Sequence, residues 1–201
     1  MRIGIIGAGG IGQAFASQMV KAGYEVILSN SRGPESLAEV VDKLGPNSRA
    51  GTRQEAAQAD VVQLAVRWDQ VPEALAGLPD WSGRILIDST NAAVITGDGR
   101  RPADLNGKAS SAVVASLAPG ARVVKAGNTL VRSMLAADPH VAGGHRVLFI
   151  SGDDPAAKAT VGEMLEKAGF ATVDLGDLAS SARLQQSPEG VFPTLNLVKL
   201  T

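Results

Sequence analysis

Six residues near the amino terminus have the types and the spacing of a phosphate-binding turn. A strand-length apolar stretch, Ile3-Gly4-Ile5-Ile6, precedes them, and Ala14, Phe15 and Met19 follow at helical spacing. A glycine-rich turn between a strand and a helix presents free backbone N–H groups to a bound pyrophosphate. We therefore predict a dinucleotide site at Gly7-Ala8-Gly9-Gly10-Ile11-Gly12.

The glycines of this turn are predicted to have separate tasks. Gly7 lacks the Cβ that would obstruct a sharp turn at the end of the strand. Gly9 lets the backbone approach the pyrophosphate, and Gly12 lets the helix lie close to the sheet. Gly10 is not required by the motif.

The end of the second predicted strand indicates which dinucleotide binds. NAD-binding units place a carboxylate there for the ribose 2′-hydroxyl, whereas this chain has Ser29-Asn30-Ser31-Arg32. Hydroxyl groups and a guanidinium would bind a 2′-phosphate through charge-assisted hydrogen bonds. We therefore predict that the dinucleotide is NADP. The alternative is that Arg32 is only a solvated charge on a surface loop.

The composition excludes several classes of function. Charged residues are 19% of the chain, the formal net charge is −1 and aromatic residues are 3%, which argues against binding to nucleic acid or to an anionic membrane. The chain has no cysteine, so disulfides and thiolate zinc sites are excluded, and we expect no metal. No apolar run reaches about 18 residues. We expect a soluble, cytoplasmic protein.

Strands and helices alternate along the chain, which predicts an α/β fold with a doubly wound, mostly parallel sheet of Rossmann type and a C-terminal α/β extension. We expect one domain over residues 1–201, with the dinucleotide-binding part at about 1–90 and the extension at about 109–201. Residues 89–108 are predicted to form a long loop or ragged hairpin, and residues 177–201 are ambiguous. The predicted strands are 3–6, 25–28, 60–66, 84–88, 122–125, 146–151 and 170–174. One helix is predicted directly after the glycine turn, and the others are predicted at 35–44, 54–59, 71–78, 110–117, 130–136 and 154–168.

Beyond the glycine turn and the serine–arginine corner, three further motifs make the chain resemble a known family. They are Leu64-Ala65-Val66-Arg67-Trp68, Ile87-Asp88-Ser89-Thr90-Asn91 and Val123-Val124-Lys125-Ala126-Gly127-Asn128-Thr129. With these, the chain resembles the NADPH-dependent coenzyme F-420 reductases over nearly its whole length. The resemblance implies hydride transfer between NADPH and a deazaflavin, a flavin or a similar flat acceptor, commonly in a homodimer.

The resemblance also implies roles for particular residues. The glycine turn would hold the pyrophosphate, and Ser29, Asn30, Ser31 and Arg32 would hold the adenosine phosphate. Ala65, Val66, Arg67, Trp68 and Asn91 would lie along the nucleotide toward the nicotinamide, with Gly127 and Asn128 near the acceptor.

Two positions depart from the family. Its members often have Pro at the position of Arg67, and many bacterial members have Phe at that of Gly127. A second basic residue often follows the first in the phosphate-binding corner, where this chain has only Arg32. The first two positions would lie near the reacting rings, so the acceptor remains open.

No residue is identified as catalytic from the sequence. Hydride transfer between stacked rings needs chiefly positioning, so the lack of an acid–base pair is compatible with an enzyme. His140 and His145 are expected in loops or at strand edges, and Asp88 is expected to cap the turn after its strand. The alternative hypotheses are an NADP-sensing regulatory module and a reductase of imines or small carbonyls, which would need a proton donor in the cleft.

Overall fold

A computed structural model describes residues 1–200, and its centre is a large, mostly parallel sheet. The strands are β1 (Arg2–Ile6), β2 (Glu25–Ser29), β3 (Ser48–Ala50), β4 (Val61–Leu64), β5 (Ile85–Asp88), β6 (Ala93–Thr96), β7 (Gly99–Pro102), β8 (Arg122–Ala126), β9 (His140–Val141), β10 (Gly144–Gly152), β11 (Ala171–Asp174) and β12 (Val198–Leu200). The helices are α1 (Gly10–Lys21), α2 (Ala38–Leu44), α3 (Arg53–Ala57), α4 (Val71–Leu75), α5 (Ser110–Leu117), α6 (Arg132–Ala136), α7 (Pro155–Lys167) and α8 (Ala182–Gln185). Single 3-10 turns at Pro34–Leu37 and Trp68–Gln70 precede α2 and α4.

The strand order across the sheet is β3-β2-β1-β4-β5-β8-β10-β11. All pairs from β3 to β8 are parallel, β10 is antiparallel to β8, and β11 is parallel to β10. β9 and β12 pair with the first residues of β10, and β6 and β7 form a separate hairpin. The chain leaves β1 toward β2 on one side and returns to β4 on the other. Such a reversal opens a crevice at the carboxyl ends of the two strands.

Apolar residues cover both faces of this sheet, because successive strand residues point to opposite sides. Ile85 and Ile87 of β5 pack in the cluster that contains α1, α6 and α7, whereas Leu86 packs with α3, α4, α5 and α8. Two layers of helices therefore enclose the sheet. The predicted doubly wound Rossmann-type fold is confirmed.

Most predicted elements are present, with three differences. Residues 35–44 begin as a 3-10 turn and become α-helical only at Ala38. β3, which the sequence analysis did not predict, pairs with β2 at the sheet edge, where its short polar stretch has no apolar signature. The ambiguous carboxyl-terminal segment forms α8, an irregular stretch and β12.

One sheet contains strands from both predicted parts of the chain. The single-domain organisation itself stays a prediction. Within residues 1–200, no helix combines the length and the hydrophobicity needed to cross a membrane.

Candidate functional site

The glycine turn lies at the crevice between β1 and β4 and is tied to the strands on both sides. The Gly7 N–H donates to the Ser29 carbonyl at 3.0 Å, and the Ala65 N–H donates to the Ile6 carbonyl at 2.8 Å. Gly7 has a φ of 110°, which favours glycine, and a Cβ there would meet the backbone of Ala65. A Cβ on Gly12 would overlap the carbonyl oxygen of Gly7. These two glycines are therefore required for the fold itself.

Gly9 is different, because a Cβ added there would have no atom within 4 Å. The space above Gly9 is open, and the residue is the N-cap of α1 without a side-chain hydrogen bond. The first turn of α1 contains no acidic residue. Since the first N–H groups of a helix have no partner within it, this end of α1 presents open donors to an anion.

The corner after β2 is shaped by Asn30. Its Oδ1 accepts from the Arg32 N–H at 2.9 Å, and its Nδ2 donates to the Ser36 hydroxyl at 2.8 Å. Ser31 and the side chain of Arg32 are exposed. Ser29 is buried, and its hydroxyl donates to the Ile5 carbonyl at 2.8 Å, which places this hydroxyl between strands rather than on the loop surface.

A cleft of about 550 Å³ begins at the glycine turn and runs along the carboxyl ends of β4, β5 and β8. The hairpin β6–β7 and the carboxyl-terminal segment close its other sides. It is lined by Gly9, Gly10, Ile11, Ala65, Val66, Arg67, Trp68, Ser89, Asn91, Ala93, Ile95, Arg100, Asn128, Thr129, Leu130, Val131, Arg132, Ser187, Pro193 and Thr194.

The structure brings together most of the residues that the sequence analysis selected. The three members of the turn at Gly9–Ile11, the four residues after β4, and both Asn91 and Asn128 line the same cleft. Gly127 is buried and, like the corner after β2, lies outside the lining. The sequence did not predict that the lining includes Arg132 or the carboxyl-terminal wall formed by Ser187, Pro193 and Thr194.

Asn91 and Asn128 join the ends of β5 and β8. The Asn128 Nδ2 donates to the Asn91 Oδ1 at 2.9 Å and to the Gln185 carbonyl at 2.7 Å. The Ser187 N–H also donates to the Asn91 Oδ1, at 3.1 Å. This network attaches the carboxyl-terminal segment to the two strand ends, and the Thr194 N–H adds a bond to the Thr129 carbonyl at 2.7 Å.

Gly127 has a φ of 72°, and a Cβ there would lie 3.2 Å from the Ser89 hydroxyl. This hydroxyl accepts from the Gln63 Nε2 at 2.9 Å and donates to the Ala126 carbonyl at 2.7 Å. A side chain at Gly127 would therefore be strained by the backbone and crowded by the buried groups around it.

A buried ion pair lies below the ends of β5 and β8. The Lys125 Nζ is 3.2 Å from the Asp88 Oδ2, and both side chains are fully buried. The same ammonium donates to the Thr90 carbonyl at 3.1 Å and to the Ser110 hydroxyl at 3.3 Å. The predicted capping role of Asp88 is confirmed, since its Oδ1 accepts from the Thr90 N–H at 2.8 Å.

The charge of Asp88 follows from this environment. Burial alone would raise the pKa of the Asp88 carboxyl. The Lys125 ammonium and the hydrogen bonds from Ser111 and Thr90 outweigh burial and hold that pKa below its ordinary value. The pair was missed in the sequence, although a lysine inside the apolar strand Val123-Val124-Lys125-Ala126 was a signal for it.

The charged groups that line the described cleft are all arginines, and no Asp, Glu, His, Lys or Tyr side chain lines it. Arg67 is exposed and paired with Asp69 at 2.9 Å. His140 and His145 lie away from the lining, with their Nδ1 atoms 3.0 Å from the Asp138 Oδ1 and 2.8 Å from the Gly169 carbonyl. The cleft can therefore attract anions, but it holds no ordinary proton donor.

Residues 2–92 match the family model described as NADP oxidoreductase, coenzyme F420-dependent. The match covers 91 of the 201 residues, so the amino-terminal part of the chain is similar to this family. A solved structure of a candidate F420-dependent NADP-reductase from Arthrobacter sp. fb24 is 28% identical, with a TM-score of 0.78, and the match covers 89% of this chain and 86% of that one. The resemblance inferred from the sequence is thus confirmed.

Two other proteins are similar over nearly the whole of this chain. A hypothetical protein from Sinorhizobium meliloti is 44% identical, with a TM-score of 0.92, over 99% of this chain and 96% of that one. The metalloreductase STEAP3 of Rattus norvegicus is 29% identical over 96% of this chain. That match covers 37% of the metalloreductase, so the chain spans little more than a third of that relative's length.

The family model and the Arthrobacter structure both support NADP as the cofactor. The residues present fit this cofactor on three structural grounds. The amino end of α1 offers uncapped N–H groups, the space above Gly9 is open, and residues 29–32 after β2 expose Ser31 and Arg32 and include no carboxylate. The Glu35 carboxylate lies next to this corner, beside Gly33.

Proposed function

We propose that the protein transfers hydride between NADP(H) and a flat redox acceptor, a deazaflavin such as coenzyme F-420 or a flavin, in the cleft at the carboxyl edge of the sheet. The observation that carries this proposal is the composition of the cleft. The cleft continues directly from the open amino end of α1. Its described lining contains no titratable acid or base other than arginine. Such a site suits a reaction that depends on positioning rather than on proton transfer.

The binding roles follow the geometry. The turn Gly7–Gly12 would hold the pyrophosphate, Asn30 would shape the corner, and Ser31 and Arg32 would bind the 2′-phosphate. Bound NADPH would supply the hydride. The stretch Ala65–Trp68 and Asn91 would form the wall along which the nicotinamide end extends.

The acceptor would lie against the floor formed by Gly127 and Asn128. Asn128 lines the cleft and is fixed by hydrogen bonds to Asn91 and Gln185, and Gly127 is buried directly before it. The carboxyl-terminal wall of Ser187, Pro193 and Thr194 would exclude water from the space between floor and turn.

The same cleft argues against a reductase of imines or small carbonyls. Reduction of those substrates needs a proton at the nitrogen or oxygen atom, and the described lining offers only hydroxyl and amide groups besides its arginines. Transfer to a flat conjugated ring is the reaction that this set of residues supports best.

The test uses the purified 201-residue chain with NADPH and a panel of acceptors: coenzyme F-420, FMN, riboflavin, a cyclic imine and a small ketone. We expect loss of the nicotinamide absorbance with the deazaflavin or a flavin, and none with the imine or the ketone. Tight NADPH binding without turnover of any acceptor would instead indicate an NADP-sensing module. Turnover confined to the imine or the ketone would refute the proposed acceptor class.

A further inference from the structure

Arg132 lies over the glycine turn. A Cβ added at Gly10 would be 2.5 Å from the Arg132 Cδ and 3.6 Å from its Nε, so the outer part of this side chain covers Gly10. Arg132 and Gly10 both line the cleft, at the end where α1 begins.

The position of Arg132 is fixed by the contact between α6 and α1. Gln18 is buried in α1, and its Nε2 donates to the carbonyls of Leu135 at 2.8 Å and Ala137 at 2.7 Å. The carboxyl end of α6 is thereby held beside Gln18, and its first residue, Arg132, lies beside Gly10. The two helices run in the same direction, and both begin at the cleft.

The guanidinium of Arg132 has no hydrogen bond or ion pair to any residue in the described range 1–200. Arg100, which also lines the cleft, likewise makes no side-chain hydrogen bond or ion pair in this range, whereas two other arginines nearby do. Arg67 is paired with Asp69 at 2.9 Å, and Arg101 is paired with Asp98 at 3.3 Å. Arg132 therefore offers an uncompensated positive charge directly above a turn whose N–H groups are also open.

We propose that Arg132 binds the pyrophosphate of the dinucleotide from above, while the amino end of α1 binds it from below. The inference rests on the proposed NADP(H) site. Planar guanidinium groups bind phosphate oxygens through paired hydrogen bonds, and this one is attached to α6 rather than to a loop of the nucleotide-binding half. The carboxyl-terminal extension would thus take part in cofactor binding. Arg132 would bind the pyrophosphate of NADP(H), and Arg32 would bind its 2′-phosphate.

The proposal is tested by binding, with three ligands that contain different parts of the cofactor. NADPH contains the pyrophosphate and the 2′-phosphate, NADH contains only the pyrophosphate, and 2′-AMP contains only the 2′-phosphate. The variants are Arg132→Met, which keeps the apolar stem over Gly10, and Arg32→Met as the matched change at the other phosphate. Arg101→Met, an exposed and paired arginine of the hairpin, serves as the control.

We expect Arg132→Met to weaken NADPH and NADH about tenfold or more and to leave 2′-AMP within about twofold. Arg32→Met should do the opposite, weakening NADPH and 2′-AMP while sparing NADH. Arg101→Met should leave all three dissociation constants unchanged, and thermal unfolding of each variant should match that of the wild type.

Four results would overturn the inference. Unchanged NADH affinity in Arg132→Met would show that this arginine does not contact the pyrophosphate. An equal loss of affinity for 2′-AMP and for NADH in Arg132→Met would indicate a general effect on the fold or on the electrostatic field of the protein. Unchanged dinucleotide affinity with a raised KM for the acceptor would assign Arg132 to the acceptor, while the proposed function itself would stand. Wild-type protein that binds no dinucleotide would remove both proposals.

Discussion

At the scale of single residues, Gly9 and Gly12 belong to one motif but have different reasons to be glycine. Gly12 faces the carbonyl oxygen of Gly7, and Gly9 faces open space. The sequence pattern predicted both roles, because the spacing of the turn is local and its geometry follows from a strand that enters a helix. The structure adds that only the role of Gly9 depends on a ligand.

This difference predicts opposite effects of two alanine substitutions. Gly9→Ala should leave the free energy of unfolding within about 0.5 kcal/mol of wild type. It should weaken NADPH about tenfold or more, because the new methyl group occupies the approach of the pyrophosphate. Gly12→Ala should lower the free energy of unfolding by about 1–3 kcal/mol, because helix and strand must separate.

Urea unfolding and NADPH titration of both variants measure these effects. A strongly destabilised Gly9→Ala, or a Gly9→Ala variant that binds NADPH as wild type does, would contradict the reading of the turn as an anion site.

Other residues of the site were beyond sequence reasoning. Arg132 covers Gly10, and Gln185 bonds to Asn128, but each pair is far apart in the sequence and depends on how α6 and α8 pack. Lys125 was detectable in principle, because a lysine within an apolar strand needs a buried partner.

At the scale of elements, the ends of β5 and β8 owe their rigidity to the pair of Asp88 and Lys125. Asp88 holds the turn at Thr90, Lys125 bonds to the Thr90 carbonyl, and the next residue, Asn91, lines the cleft. Breaking one partner of a buried ion pair costs about 3–5 kcal/mol, because the remaining charge is left without compensation. We expect such a loss of unfolding free energy for Lys125→Met at about pH 7.

The pH dependence follows from the direction of the Asp88 pKa. In the wild type this pKa is below its ordinary value of 3.8, so its stabilising contribution is present above about pH 4. That contribution is lost as the pH falls through the lowered pKa. In Lys125→Met the burial remains without the ammonium, so the pKa of Asp88 should lie above its unfolded value. The difference in unfolding free energy between wild type and Lys125→Met should then shrink as the pH falls from about 7 toward 5, because Asp88 becomes protonated in the variant.

Urea unfolding at the two pH values provides the measurement, with the double variant Asp88→Asn/Lys125→Met as the control. The double variant should be more stable than Lys125→Met at neutral pH, because it leaves no unpaired charge. Equal stability of the two would show that Asp88 carries no uncompensated charge in the single variant.

Element predictions from sequence succeeded where apolar periodicity is strong and failed where it is absent. α7 and the strands β1, β2, β4, β5, β8 and β11 were predicted within a few residues, because each buries apolar side chains at regular spacing. β3 is a polar edge strand of three residues, so it has no core face to reveal it. The exposed hairpin β6–β7 falls within residues 89–108, for which the sequence predicted a long loop or a ragged hairpin.

At the scale of the whole molecule, the carboxyl-terminal segment forms part of the cleft. Bonds from Ser187 to Asn91 and from Thr194 to Thr129 attach it to the strand ends that carry the proposed acceptor floor. The segment lacked a clear pattern in the sequence, because it is held by single polar contacts rather than by a repeated apolar face. The site therefore uses both the dinucleotide-binding half and the extension.

The proposed homodimer also belongs to this scale. Apolar side chains of the hairpin and of the carboxyl-terminal segment are exposed, with Ile95 at 61% and Val191 at 65%. A second copy could cover them. The dimer remains a prediction of family resemblance, and light scattering of the purified chain would give its mass.

The central claim is that the pyrophosphate of NADP(H) binds at the amino end of α1 and that the 2′-phosphate binds at Arg32. Titration calorimetry of the 201-residue chain with NADPH and with NADH tests this claim most directly. The account predicts binding of both, with NADPH tighter by about tenfold or more, the contribution of a charge-assisted contact. No heat with either dinucleotide, or tighter binding of NADH, would contradict it.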